Sequence, residues 1–185
     1  MEYIEAPIKG LWLLRPKVFG DERGYFMESY KKDEFDRIIG KTDFIQDNES
    51  ESSFGVLRGL HYQDGATAQA KLVRVIKGKV LDVAVDIRPN SPTFGQYFAV
   101  ELSDENKQQF FIPRDFAHGF LVLSERAIFS YKVDNAYSPS TERTLNCLDP
   151  EVAVTWPLNP SQWILSEKDK KGKTLNEIRN ERNAK

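Results

Sequence analysis

Alternation along residues 80–87 places Leu81, Val83, Val85 and Ile87 on one face and Asp82, Ala84 and Asp86 on the other, which predicts a strand. The apolar run Leu72-Val73-Arg74-Val75-Ile76 precedes it, and Lys77-Gly78 between the two reads as a hairpin turn. Further short strands are predicted at 97–102, 109–112, 119–123 and 127–132. Turn-formers separate them: Arg88-Pro89-Asn90-Ser91-Pro92, Ser103 to Asn106, and Ser124-Glu125. Many short strands with regular turn signals predict a mainly β sandwich or barrel. Two short helices flank it. Residues 32–39 set Phe35, Ile38 and Ile39 on one face, with Gly40 as the stop. Thr174 and Glu177 have capping-box spacing, ahead of the apolar pair Leu175 and Ile178. With no linker or internal repeat, residues 1–185 read as one domain whose charged, helical tail starts at about 167.

Composition narrows the function classes. Hydrophobic residues at 40% and charged residues at 29% suit a globular chain. Lys and Arg total 26 against 28 Asp and Glu, a net charge of −2, so no global field draws nucleic acid or an acidic membrane surface. An anionic ligand must then be held by local basic groups. The one cysteine, Cys147, excludes an intrachain disulfide and a cysteine-based zinc site. Two histidines, His61 and His118, are too few for a three-histidine metal site in one chain. The acidic start Met-Glu-Tyr-Ile-Glu does not read as a signal peptide, and no apolar run approaches the ~20 residues of a membrane helix. The expectation is a cytoplasmic protein without nucleic-acid or membrane partners.

The densest candidate chemistry lies in Gly55-Val56-Leu57-Arg58-Gly59-Leu60-His61-Tyr62-Gln63. His61 reads either as a general base or as a hydrogen-bonded strand histidine. Arg58, three residues away, has the forked donor set that grips a phosphate. Lys71 opens an apolar strand, where it either reaches solvent or meets an anionic partner inside. His118 follows a turn, as a backbone-satisfied residue or a donor at a pocket mouth. Tyr131 and Tyr137 bracket a strand end; a tyrosine hydroxyl can return a proton to a carbanion or simply anchor a core. Asp169, in Ser166-Glu167-Lys168-Asp169, has the spacing of a helix cap. The segment from Asp21 to Glu28 combines Arg23 with Tyr25 and Phe26, either a charged hairpin or a surface that stacks a base and holds a phosphate.

Together these segments resemble the dTDP-4-dehydrorhamnose 3,5-epimerase family of cupin-fold enzymes. The resemblance rests on Asp21 to Phe26, Gln46 to Ser50, Gly55 to Gln63, Lys71 to Val75, Asp82 to Asp86, Ser91 to Gly95, Phe116 to Phe120, Tyr131-Lys132 and Ser166 to Asp169, in the family's order. It implies a cupin-type jelly roll that epimerises a dTDP-4-keto-6-deoxyhexose at carbons 3 and 5, in dTDP-L-rhamnose biosynthesis, with no metal and no cofactor. Both carbons flank the carbon 4 ketone, which acidifies their protons, and the enolate between them needs a cationic or hydrogen-bonding partner. By resemblance His61 is the base, Asp169 its orienting partner, Tyr131 the opposite-face acid and Lys71 the enolate stabiliser. Arg23, Arg58 and His118 resemble diphosphate or sugar contacts, and Phe26, Glu28, Gln46 and Asn48 thymidine-side contacts. Tyr137, Glu142 and Lys168 belong to the same pocket. The family forms homodimers in which neighbouring chains share the nucleotide site. Two departures stand out: Asp115 replaces a glycine in the turn before His118, and residues 145–149 lack the family's tryptophan. The alternatives are a single-carbon epimerase or ketoisomerase of a related sugar, and a non-catalytic sugar-binding jelly roll.

Overall fold

The alternating runs become two antiparallel sheets laid face to face, with the candidate chemistry between them. The computed structural model describes residues 1–183. Its elements are β1 (Glu2–Glu5), β2 (Trp12–Arg15), β3 (Val18–Asp21), β4 (Gly24–Met27), α1 (Lys32–Ile38), β5 (Gln46–Ser53), β6 (Leu57–Gln63), β7 (Lys71–Lys77), β8 (Lys79–Asp86), β9 (Tyr97–Ser103), β10 (Gln109–Ile112), β11 (Phe116–Val122), β12 (Arg126–Val133), β13 (Glu142–Thr144) and α2 (Leu175–Asn183). Among the described residues, a six-stranded sheet in the order β1-β2-β10-β7-β12-β5 packs on a five-stranded sheet in the order β13-β6-β11-β8-β9. The β3–β4 hairpin stands apart as its own ribbon. This is a cupin-type jelly roll.

Three apolar layers hold it. Between the sheets, Val73, Val75, Phe110 and Phe129 of one meet Val80, Ala84, Phe116 and Phe120 of the other. Outside the five-stranded sheet, Leu57, Leu60, Val83, Val85 and Leu121 lie beneath Leu145, Val152, Leu175 and Ile178. Outside the six-stranded sheet, Phe35 of α1 packs on Leu14, Leu72 and Phe111. The reciprocal capping box of Thr174 and Glu177 starts α2, and full burial of Leu175 and Ile178 contributes roughly 1.5–3 kcal/mol each. The apolar face of β8 thus lies under the C-terminal cover, and its Asp82 face looks into the sandwich.

The expected hairpin at Lys77-Gly78 is not one. β7 pairs with β10 and β12, while β8 pairs with β11 and β9, so consecutive strands sit in opposite sheets. Gly78 makes the corner with φ +82°, and a side chain there would run into the Arg126 carbonyl oxygen. β11 also begins at Phe116, earlier than the apolar run starting at Gly119 suggests. Asp115 takes the glycine-like φ of +65° in the turn before it, and Arg182 of α2 donates to its carboxylate at 3.0 Å and to the Ile87 carbonyl at 2.8 Å. That ion pair offsets the strain of a side chain at this turn.

Candidate active site

His61 and Arg58 project from β6, an inner strand between β13 and β11. Gly59 lies between them with φ +117°, and a Cβ there would come within 2.7 Å of the Gly119 Cα on β11, so the two strands meet backbone to backbone. The His61 Nε2 is 2.5 Å from Asp169 Oδ1. Asp169 is buried in a 3₁₀ turn, Asp169–Lys171; its other oxygen accepts from the Ser166 hydroxyl at 2.7 Å, and its own N–H donates back to Ser166 at 3.2 Å. Burial alone would raise the Asp169 carboxyl, but hydrogen bonds from His61 and Ser166 hold it below the usual range. An ionised carboxylate only accepts, so Nε2 carries the proton and the His61 lone pair sits on Nδ1. The bonds with Ser166 and the pairing with His61 therefore coexist on one residue.

Lys71, at the start of β7, and Tyr131, on β12, join His61 in lining one cavity of about 340 Å³. That volume falls at the small end of the ~300–1,000 Å³ common for ligand sites. Burial pushes the Lys71 ammonium down to about 8, against the opposing pull of Asp82 and Glu142. Burial also raises the Tyr131 hydroxyl, with Arg58 working against it, so the phenol is a protonated donor at neutral pH. Gln46 and Asn48 of the edge strand β5, with Glu142 and Tyr137, line the same cavity. The Tyr137 hydroxyl donates to Glu142 at 2.8 Å, and Lys168 bridges the other Glu142 oxygen at 2.5 Å.

Other expected residues lie elsewhere. Arg58 is exposed, bonded to the Ser52 hydroxyl at 3.0 Å, and close enough to act on Tyr131. His118 pairs directly across from His61, but it is buried and bound to Asp82, and it does not line the cavity. Arg23 and Phe26 sit on the exposed β3–β4 hairpin, with Glu28 just beyond, and Arg23 is tied to Asp21. They line a separate cleft with Phe19 and Tyr25. Among the described residues, no group of three or more His, Cys, Asp or Glu side chains could hold a metal ion.

Residues 5–177 match the family profile described as dTDP-4-dehydrorhamnose 3,5-epimerase. The chain belongs to that family. The enzyme of this name from Escherichia coli K12 is 50% identical over 179 residues, covering 96% of both chains. The Shigella flexneri enzyme is 52% identical over 174 residues, covering 93% of this chain and 94% of its own. A Legionella pneumophila dTDP-6-deoxy-D-glucose-3,5-epimerase, solved with dTDP-4-keto-L-rhamnose, superposes with a TM-score of 0.93 at 50% identity, covering 97% of this chain and 95% of that one. A 3′-monoepimerase from Streptomyces bikiniensis, solved with dTDP-quinovose, shares the fold with a TM-score of 0.88 at 32% identity, covering 97% of this chain and 90% of that one. The protein is thus an isomerase of the carbohydrate epimerase class.

Tyr62 lines the cavity of this epimerase without being among the predicted site residues, and three polar groups at or behind it also escape the motif reading. Asp82 is wholly buried beside His118, and Gln63 and Gln69 line the cavity. The signal for Asp82 was present as a carboxylate alternating with valines in a strand bound for the interior. Gln63 and Gln69 carry no such signal, because a polar residue at a strand end or in a loop reads equally as solvent-facing.

Proposed function

We propose that the chain converts dTDP-4-keto-6-deoxy-D-glucose to its 3,5-epimer by two proton transfers at each of the two carbons, each time through an enolate. The observation that carries this reading is the meeting of the His61–Asp169 pair, Lys71 and Tyr131 in one cavity. His61 Nδ1 takes the proton from carbon 3 or carbon 5, and the C–H electron pair moves onto the carbon 4 oxygen. Asp169 stabilises the imidazolium that forms. The Lys71 ammonium offsets the enolate charge in a site partly shielded from water. Tyr131 then returns a proton to the opposite face, the carbonyl re-forms, and the centre is inverted. Proton NMR of the 4-keto sugar nucleotide in heavy water tests this, with deuterium expected at both carbons. Incorporation at one carbon supports the monoepimerase reading, and incorporation at neither sinks the acid–base assignment.

Arg58 lies outside the cavity lining but near enough to act on Tyr131, and its exposed guanidinium can take the diphosphate once it leaves Ser52. Arg58→Ala is expected to weaken thymidine diphosphate binding by about 2 kcal/mol, roughly 30-fold, in a calorimetric titration. Unchanged affinity contradicts the contact.

The hairpin supports a homodimer. Phe26 is 70% exposed and Phe19 and Tyr25 are more than half exposed, a patch that a second copy would cover. Arg23 and Phe26 lie in a cleft apart from this chain's own cavity, which fits a nucleotide site completed by the neighbouring chain. Analytical ultracentrifugation should find a dimer, and a monomer throughout the micromolar range removes the shared site.

A further inference from the structure

Asp82 lies in the middle of β8, fully buried, between Val80 and Ala84 on the face that looks across to the six-stranded sheet. A carboxylate in such a place is costly unless its charge is matched. Among the described residues, only His118 Nε2 donates to it, at 2.9 Å to one oxygen and 3.0 Å to the other. One imidazole N–H leaves most of the roughly four acceptor sites of a carboxylate unused. His118 does not supply a full compensating charge, because burial drives it toward its neutral form. Among the described residues, the cation nearest to hand between the sheets is Lys71, which lines the cavity. Its Nζ makes no hydrogen bond or ion pair among the described residues, yet Asp82 is the strongest charge favouring its ammonium form.

We propose that Asp82 is a positioning residue of the epimerase, whose buried charge, fixed in place by His118, keeps Lys71 an ammonium inside the cavity. This rests on the reading above, in which Lys71 meets the enolate oxygen. The other groups acting there do not replace Asp82. Glu142 of β13 also favours the ammonium, but its oxygens are already engaged by Lys168 and Tyr137. Lys168 acts in the opposite direction. His118 of β11 feels Lys71 as a like charge, so protonating His118 would work against Lys71. Tyr131 of β12 is neutral while protonated. The Gly78 corner is what puts Lys71 and Asp82, eleven positions apart in the sequence, on facing sheets.

Asp82→Asn keeps the volume and an acceptor for His118 but removes the charge. Without it, the ammonium loses its proton at lower pH. The alkaline limb of the kcat profile for solvent-deuterium exchange is expected to move acidward by about one pH unit or more, with activity partly regained at pH 6 relative to pH 8. A purely structural role predicts a uniform loss with the limb in place, and that result overturns the proposal. A second arm does not depend on turnover. The pH dependence of Lys71 dinitrophenylation, read by mass spectrometry, should show the same acidward shift. If that titration is unmoved in an active enzyme, Asp82 has no such role; if it moves while no exchange occurs even in the unmodified protein, only the epimerase reading fails.

Should Asp82→Asn fold poorly, a double-mutant cycle keeps the test sharp. Lys71→Met strands the carboxylate, so adding Asp82→Asn to it should raise the melting temperature, although the same change lowers it when Lys71 is present. Additive shifts in melting temperature overturn the coupling.

Discussion

Replacing His61 with Asn is expected to abolish both deuterium exchange and inversion, by roughly 10²–10⁴-fold. The reason lies in the proton inventory of the pair. Asp169 is held ionised, so it fixes the His61 proton on Nε2 and leaves Nδ1 as the basic nitrogen. Asparagine has no such nitrogen at neutral pH. Asp169 would retain its bonds from Ser166 and from the Gly59 N–H at 3.4 Å, so its buried charge is not orphaned and the fold should survive. The loss should therefore appear in a variant with a near-normal melting temperature and near-normal thymidine diphosphate binding. Exchange within tenfold of the unmodified enzyme would show that another group is the base.

Tyr131→Phe should separate the two proton transfers. The hydroxyl makes no hydrogen bond among the described residues, so its removal orphans no buried partner and the ring keeps its packing on Phe129. The base and Lys71 remain, so the enolate still forms. It can be reprotonated from the His61 side, and deuterium returns to the carbon without inversion once the His61 proton has exchanged with solvent. The variant is expected to lose epimerisation by about 10²–10⁴-fold while keeping measurable exchange. A tyrosine that merely anchors the core predicts the reverse, a lower melting temperature with near-normal turnover in the folded fraction. Exchange, inversion and melting measured on one preparation decide between them, and full inversion activity rules out Tyr131 as the acid.

Much of the sandwich was legible because its strands are amphipathic or fully apolar. β8, β9, β10 and β12 fall within a residue of the alternating and apolar runs. β5 was not legible, since Gln-Asp-Asn-Glu-Ser-Glu-Ser-Ser has no apolar residue; it pairs only with β12, and an edge strand can be this polar. The Gly78 corner was misread because Lys-Gly serves a hairpin and a sheet crossing equally well. Which one forms is decided by what each strand pairs with, and those partners are distant in sequence. The site divides in the same way. Resemblance names His61, Lys71, Tyr131 and Asp169 as candidates; the first three line one cavity and Asp169 is bonded to His61. Arg23, Phe26 and Glu28 depend on where the hairpin points, which no local pattern encodes. Asp169 shows the limit of spacing rules, for the Ser166–Asp169 spacing foretells their mutual bonds and says nothing of the histidine 108 positions away.

The backbone seam at Gly59 and Gly119 bears on how this enzyme can be altered. A side chain on Gly59 would meet the Gly119 Cα and the His118 carbonyl, both at 2.7 Å, and one on Gly119 would meet the Arg58 carbonyl, so neither position admits alanine without parting β6 from β11. The strands that carry His61 and His118 are thus frozen at their closest point. The groups at the cavity rim are not frozen, because Gln46 and Asn48 ride an edge strand and Tyr137 a loop. A mutational library is therefore expected to tolerate few changes along the β6–β11 seam and more at the rim of the cavity.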